Sequence, residues 1–196
     1  MESDIEALIL RADQADQEAV DELFTLLYHE LHRLAERNLR RAGPSLTLGP
    51  TTLLHEAYLN ISGRHDVAFA DRPRFLAYAA RAMRGLVVDF ARRHRAVKRG
   101  RQLEITLAGD EPPTSEALRD AEELERLGDA LEELGELEPA LAELVDLRFF
   151  CGFSFAEIAA FRGVSERTVQ RDWRKARLLL HHSLLGDELS SDDGGG

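Results

Sequence analysis

The sequence lacks the features on which several classes of protein depend. It has a single cysteine, Cys151, so an internal disulfide is excluded and a reducing cytoplasm is the compartment we expect. No apolar run approaches the roughly 20 residues that a membrane-spanning helix needs. The N-terminal segment MESDIEALIL is acidic where a signal peptide is basic, so we do not expect export. The 44% hydrophobic fraction is typical of a soluble globular protein.

Motifs for catalysis and for metal binding are also missing. The two histidines of His29-Glu30-Leu31-His32 are one residue too close for the H-E-x-x-H zinc motif, and His55 has no second histidine at that spacing. We find no glycine-rich phosphate loop, no nucleophile elbow and no triad. We therefore predict that the protein is not an enzyme and uses no metal and no cofactor. A helical metal-dependent hydrolase is an alternative that metal analysis and a hydrolase panel would test.

Acidic and basic residues are unevenly distributed along the chain. The formal net charge of −11 on its own argues against a nucleic-acid partner. However, residues 81–101 contain 8 Lys/Arg and 1 acid, and residues 162–177 contain 6 Lys/Arg and 2 acids. Residues 104–146, between them, contain 15 acids and 2 arginines. The chain therefore carries two basic patches separated by an acidic segment, and each patch suits a polyanion.

Apolar residues recur at helical spacing along most of the chain, and no segment alternates as a strand does. The spacing predicts a helix over 17–41, a second from Thr51 or Thr52 to Ser62-Gly63, and a long one from Pro73 to Gly100. We predict an all-α fold of two small helical domains joined by a flexible linker. Residues 1–100 form the first domain, 101–118 the linker, 119–185 the second domain, and 186–196 a disordered tail.

Residues 154–180 have the pattern of a helix-turn-helix. Ser154 and Glu157 form a capping box at the start of its first helix, and Gly163 fits the left-handed position of the turn. We expect Val164 to fill the corner of the turn and Ser165 to cap the second helix. The buried stripe of that helix is predicted to comprise Val169, Trp173, Ala176 and Leu180.

The opposite face of the second helix is basic. Arginine can bind guanine or phosphate bidentately, and glutamine can read adenine. We predict that Arg167, Gln170 and Arg171, with Thr168, face bases, because the N-terminal half of a recognition helix enters the major groove. Phosphate contacts are predicted for Arg174, Lys175 and Arg177. The alternative is a solvated basic face on an ordinary helical hairpin.

The long helix of the first domain begins apolar and aromatic and ends basic. Most of its aromatic residues are expected in the core, whereas its basic end, ARRHRAVKRGR, suits a nucleic acid. The DNA contacts predicted here are Arg84, Arg92, Arg93, Arg95 and Lys98.

Taken together, these segments resemble a sigma factor of bacterial RNA polymerase, of the small extracytoplasmic-function (ECF) group. The segment FSFAEIAAFRGVSERTVQRDWRKAR is similar to the family's hairpin for the minus-thirty-five element, and AARAMRGLVVDFARRHR is similar to the region that melts and reads the minus-ten element. Within the latter, Asp89, Arg92 and Arg93 match the family's usual acidic and paired basic residues. The resemblance covers about residues 5–185 and implies a transcription initiation factor whose partners are core RNA polymerase and promoter DNA.

One departure from the family pattern concerns the segment that docks on the clamp helices of the polymerase beta-prime subunit. The family's acidic run corresponds here to Gly49-Pro50-Thr51-Thr52, followed by His55 and Glu56. A phosphothreonine would restore about −1.5 to −2 charges at a helix N-terminus. We therefore hypothesise that a Ser/Thr protein kinase activates polymerase binding at Thr51 or, as second choice, Thr52, as in a threonine-bearing subgroup of the family. The alternative is that either threonine is simply an N-cap.

Two further questions stay open at the level of sequence. A helix-turn-helix repressor or activator without sigma function would bind its operator alone, usually as a dimer, whereas a sigma factor requires core polymerase. The acidic residues of 104–146 are either ordinary solvated helix or a cover for the basic surfaces in the free protein. The resemblance leaves open whether an anti-sigma protein binds.

Overall fold

Every regular element in the described part of the chain is a helix, as expected. The structure is a computed structural model that describes residues 2–12, 14, 16–42, 46–63, 69, 71–105 and 115–191. Within these ranges it describes the side chains of residues 4–12, 14, 16–42, 46–63, 69, 71–93 and 122–185. None of the helices in these ranges is long and apolar enough to cross a membrane.

Five helices form the N-terminal half: α1 (Glu2–Ala12), α2 (Gln17–Leu26), α3 (Tyr28–Arg41), α4 (Pro50–Ser62) and α5 (Arg72–Ile105). The single helix predicted over 17–41 is wrong, because the chain bends at Leu27, which has φ −95° and ψ 9°. Leu23, Leu27 and Leu31 are all buried, so the apolar face continues across the bend between the two helices. The start of α5 fits the prediction, but its backbone continues beyond residue 100 to Ile105.

The C-terminal half contains α6 (Ser115–Leu137), α7 (Pro139–Val145), α8 (Phe155–Arg162) and α9 (Glu166–Ser191). Between α7 and α8 the chain forms one turn and a half of π-helix, Asp146–Cys151, here called the π-segment. Gly152 ends it at φ 83°, in the left-handed region that favours glycine. Helical backbone thus enters both ends of the predicted linker and continues past residue 185. Residues 106–114 and 192–196 lie outside the described residues.

The two halves pack against each other. One cluster of buried apolar side chains contains Leu23, Leu53 and Phe75 from the N-terminal helices together with Leu131 and Phe150 from the C-terminal ones. A smaller cluster holds the core of α8 and α9 and also includes an alanine of α5, Ala77. The division into domains 1–100 and 119–185 stays a prediction, and in the structure the two halves share one apolar core.

Candidate nucleic-acid and polymerase interfaces

Local interactions fix the helix-turn-helix formed by α8 and α9. The Ser154 hydroxyl accepts from the backbone N–H of Glu157 at 3.2 Å, and the Glu157 carboxylate accepts from the backbone N–H of Ser154 at 2.7 Å. The Ser154 hydroxyl also donates to the Glu157 carboxylate at 2.7 Å, and this bond, together with the one from the Ser154 N–H, holds the pKa of Glu157 below its usual range. Gly163 adopts φ 64°, and the Ser165 hydroxyl accepts from the N–H of Thr168 at 3.2 Å. The predicted capping box, left-handed turn and second cap are therefore confirmed.

The exposed face of α9 is basic and its opposite face is buried, as predicted. Val169 and Ala176 are fully buried, and Trp173 and Leu180 are half-buried. The predicted contact residues that are exposed are Arg167, Arg171, Arg174, Lys175 and Arg177, while Thr168 and Gln170 are half-buried. Two of them have acidic neighbours: Arg171 pairs with Asp172 at 3.2 Å, and Lys175 donates to Glu138 at 2.5 Å.

The turn between α8 and α9 differs from the prediction at one residue. Val164 does not fill the corner, since 42% of its side chain is exposed and only its backbone N–H is engaged, donating to Ala159 at 3.1 Å. The corner is instead closed by Ile158 and Ala159, which are buried in the small core.

The structure separates the arginines predicted for α5 into different environments. Arg84 is not at the surface: it is only 7% exposed and forms an ion pair with Asp146 of the π-segment. Arg84 lies on the buried side of α5 and is therefore not available for the predicted DNA contact. A buried guanidinium requires a counter-charge, which Asp146 supplies. Arg92 is exposed and pairs with Asp129 of α6, and Arg93 is exposed. The side chains of Arg95 and Lys98 lie outside those that the structure describes.

From the sequence alone, no role was assigned to Asp146. Burial raises the pKa of its carboxyl above the usual range, although the neighbouring Arg84 guanidinium acts in the opposite direction. The guanidinium of Arg84 also lies 5.0 Å from the centre of the Phe150 ring. A carboxylate here is therefore held in an apolar setting in which Arg84 is its charged partner.

The predicted polymerase-binding residues share one face of α4. Thr51, Thr52, His55 and Glu56 are all exposed, while Leu53, Leu54, Ala57 and Ile61 on the other side are buried. The idea that either threonine is an N-cap is wrong, because Gly49 is the N-cap and no side chain caps the helix. The first turn also contains no acidic residue. Pro50 has no N–H and the Leu53 N–H donates to Gly49, so the N–H groups of Thr51 and Thr52 are the helical donors left without an intrahelical acceptor.

A groove of about 450 Å³ joins this face of α4 to α5. Its floor is apolar, and its polar lining residues are Thr52, Glu56 and Arg93. Residues predicted for polymerase binding and one predicted for DNA binding are thus brought together at one groove. Among the described side chains, no group of three His, Cys, Asp or Glu is placed to hold a metal ion.

Comparison with protein families bears on the whole arrangement. A family model described as ECF sigma factor matches residues 2–186. The match spans α4, the basic part of α5 and the helix-turn-helix. No curated protein and no solved structure gives a significant match.

Proposed function

Because the chain belongs to the ECF sigma factor family, whose members direct RNA polymerase to promoters, we propose that α4, α5 and α9 make three separate contacts during initiation. In this proposal α4 binds the clamp helices of the polymerase beta-prime subunit, α5 binds the minus-ten element, and α9 reads the minus-thirty-five element. The observation that carries it is the separation of faces on α9, where the apolar side is buried and the arginines are exposed.

The N-terminal half of α9 is the base-reading part in this proposal. Arg167 and Arg171 are one turn apart on the exposed face, and each can donate two hydrogen bonds to guanine. Gln170 lies between them, half-buried, with its amide donating to Glu166 at 3.1 Å. Binding adenine through Gln170 therefore requires that this internal bond be released. Arg174, Lys175 and Arg177 then contact phosphates and set the register.

On α5 the exposed Arg93 is the first candidate for a contact to the minus-ten strand. Arg92 joins it once its ion pair with Asp129 is broken. Arg84 requires a larger change, because it is buried against Asp146. Arg95 and Lys98 follow on the same basic stretch of sequence.

Activation is proposed to occur by phosphorylation of Thr51, with Thr52 as the second candidate. The α4 N-terminus lacks both a capping side chain and an acidic residue, so a phosphate there meets the backbone N–H groups of Thr51 and Thr52 and the positive end of the helix dipole. Thr52 lines the groove beside α5 and Thr51 does not, which favours Thr51 as the residue presented to a kinase. The added charge would serve polymerase binding in place of the family's acidic run.

Transcription in vitro with core polymerase tests the proposal. Phosphorylated protein and Thr51→Glu are expected to support promoter-specific transcripts, and Thr51→Ala is expected to lose core binding in a pull-down. Thr47→Glu is a matched control, since Thr47 is exposed just before α4 but outside the helix. Equal core binding by all these forms would contradict the role of Thr51. Specific duplex binding without polymerase would instead favour a conventional helix-turn-helix regulator.

A further inference from the structure

The acidic helix α6 lies alongside the basic helix α5 in antiparallel direction. A Cβ atom added to Gly128 would lie only 2.9 Å from a methyl group of Val88, and one added to Gly135 would lie 3.8 Å from the Arg81 guanidinium. The two contacts are seven residues apart on each helix, in opposite order. Two turns of α6 therefore follow two turns of α5, and the glycine at 128 allows the closer approach.

Carboxylates of the C-terminal half lie against the arginines of α5. Asp129, next to Gly128, pairs with Arg92, and Asp146 pairs with the buried Arg84. Nearer the start of α5, Arg74 lies 3.5 Å from Glu143 of α7. These carboxylates therefore neutralise arginines of α5 that the phosphates of a nucleic acid would otherwise neutralise.

The π-segment anchors this arrangement on α3 as well. Arg41 donates to the carbonyl oxygen of Phe149 at 2.5 Å, and its guanidinium lies 3.5 Å from the centre of the Phe149 ring. Arg37 donates to the carbonyl oxygen of Cys151, and the side chain of Phe150 is buried in the main core. A π-helix frequently lies at a functional site, and here it lies where the two halves meet.

The recognition helix α9 is not covered in the same way. Arg167, Arg171 and Arg174 remain exposed. Glu138 forms an ion pair with Lys175. The packing of the two halves therefore covers part of the proposed minus-ten surface and leaves the proposed minus-thirty-five surface accessible.

We propose that α6, α7 and the π-segment act as an autoinhibitory clasp, in which acidic side chains occupy the DNA face of α5 until the two halves separate. The proposal rests on the DNA-binding role proposed above for α5. In the free protein, Arg84 and Arg92 are engaged by the clasp. Separation of the halves releases both arginines and allows α5 to bind the single strand of the melted promoter.

A pair of matched glycine substitutions in α6 tests the clasp in the full-length protein. Gly128→Ala places a methyl group against Val88, whereas Gly135→Ala makes only ordinary contacts, and both gain the same helix propensity. Small-angle scattering is expected to show a larger radius of gyration for Gly128→Ala alone. Its affinity for a fluorescent random-sequence single-stranded oligonucleotide is expected to rise roughly tenfold, as overpacking of this size would produce.

A second pair of variants tests the clasp by removing a charge, without introducing a steric clash. Asp129→Asn removes the partner of Arg92, and Glu136→Gln removes an exposed charge from the same helix without that contact. The first is expected to strengthen oligonucleotide binding more than the second, although the change in net charge is identical. Equal binding by both members of each pair would overturn the clasp, as would an expanded Gly128→Ala protein with unchanged affinity.

Transcription with core polymerase separates the clasp from the function on which it rests. Promoter-specific transcription by the phosphorylated wild type, together with equal oligonucleotide binding by the two members of each pair, would overturn the clasp and leave the sigma function standing. Variants that open and bind the oligonucleotide more tightly, but never initiate with core enzyme, would support the clasp and count against the proposed function.

Discussion

Arg84 of α5 and Asp146 of the π-segment form an ion pair in the interior of the protein, although they are 62 residues apart in sequence. Both side chains are more than nine-tenths buried. The pair connects the half that contains α4 with the half that contains α9. Because desolvation opposes both charges, removing one partner has a larger effect than removing both.

The buried pair is expected to make the protein sensitive to loss of one charge. Asp146→Asn should lower the free energy of unfolding by about 3 kcal/mol, because Arg84 is left buried without a carboxylate. Replacing both residues, Arg84→Met with Asp146→Leu, should destabilise less than Asp146→Asn. Urea denaturation measures these differences. Asp129→Asn is the control, since it breaks an exposed pair and should change stability by under about 1 kcal/mol.

The two parts of α9 should respond differently to substitution when the polymerase complex binds promoter DNA. Arg174→Ala with Lys175→Ala should weaken binding to all sequences and reduce the slope of log affinity against log salt by about 1.8. Arg167→Ala with Arg171→Ala should chiefly relax sequence preference, by about 1–3 kcal/mol per base contact. The measurement is binding across a salt series to a site selected from a random library. Arg40→Ala, an exposed arginine on α3, should alter neither.

The capping box of α8 predicts a specific pH dependence. Hydrogen bonds from Ser154 lower the pKa of Glu157 in the folded protein, so its stabilising contribution is fully present above the unfolded pKa. That contribution is lost as pH falls through the lowered folded pKa. The melting temperatures of wild type and Glu157→Gln should therefore differ at neutral pH and converge in acid. Ser154→Ala should lower the free energy of unfolding by about 1 kcal/mol at neutral pH. A difference in melting temperature between wild type and Glu157→Gln that persists in acid would contradict the role of the ionised Glu157 carboxylate.

Two glycines in the left-handed region should tolerate alanine unequally. At Gly163 the space for a Cβ is open, so Gly163→Ala should cost only the backbone strain of about 1 kcal/mol. At Gly152 the new Cβ would meet the Arg37 guanidinium, which donates to the carbonyl oxygen of Cys151. Gly152→Ala should therefore destabilise more than Gly163→Ala in thermal melts. The reverse order would show that the contact with Arg37 contributes little.

The helix-turn-helix could be predicted because its determinants lie close together in sequence. Ser154 with Glu157, the position of Gly163 and the spacing of Val169 and Ala176 are each local, and the structure contains all of them. The exposed face of α4 follows for the same reason, since apolar residues at helical spacing define the opposite side. These are the parts of the candidate sites for which a single helix supplies the information.

Features that depend on distant residues could not be predicted. The burial of Arg84 depends on Asp146, and the local signal is limited to the apolar residues one turn away on either side, Ala80, Val87 and Val88. The bend at Leu27 carries no glycine or proline, and apolar spacing continues through it. The π-segment likewise depends on packing of Phe150 against helices far away in sequence. Periodicity reports which face of a helix is buried, and it does not report what covers that face.

The absence of a side-chain cap at the N-terminus of α4 has an evolutionary consequence. Since neither Thr51 nor Thr52 serves as the cap, either can be replaced without loss of a structural hydrogen bond at Gly49. Under the proposed mechanism, replacing one of these threonines by an acidic residue would make polymerase binding independent of a kinase. The reverse replacement would place an acidic relative under kinase control. Dependence on a signalling enzyme could thus be gained or lost within a lineage without any redesign of the fold.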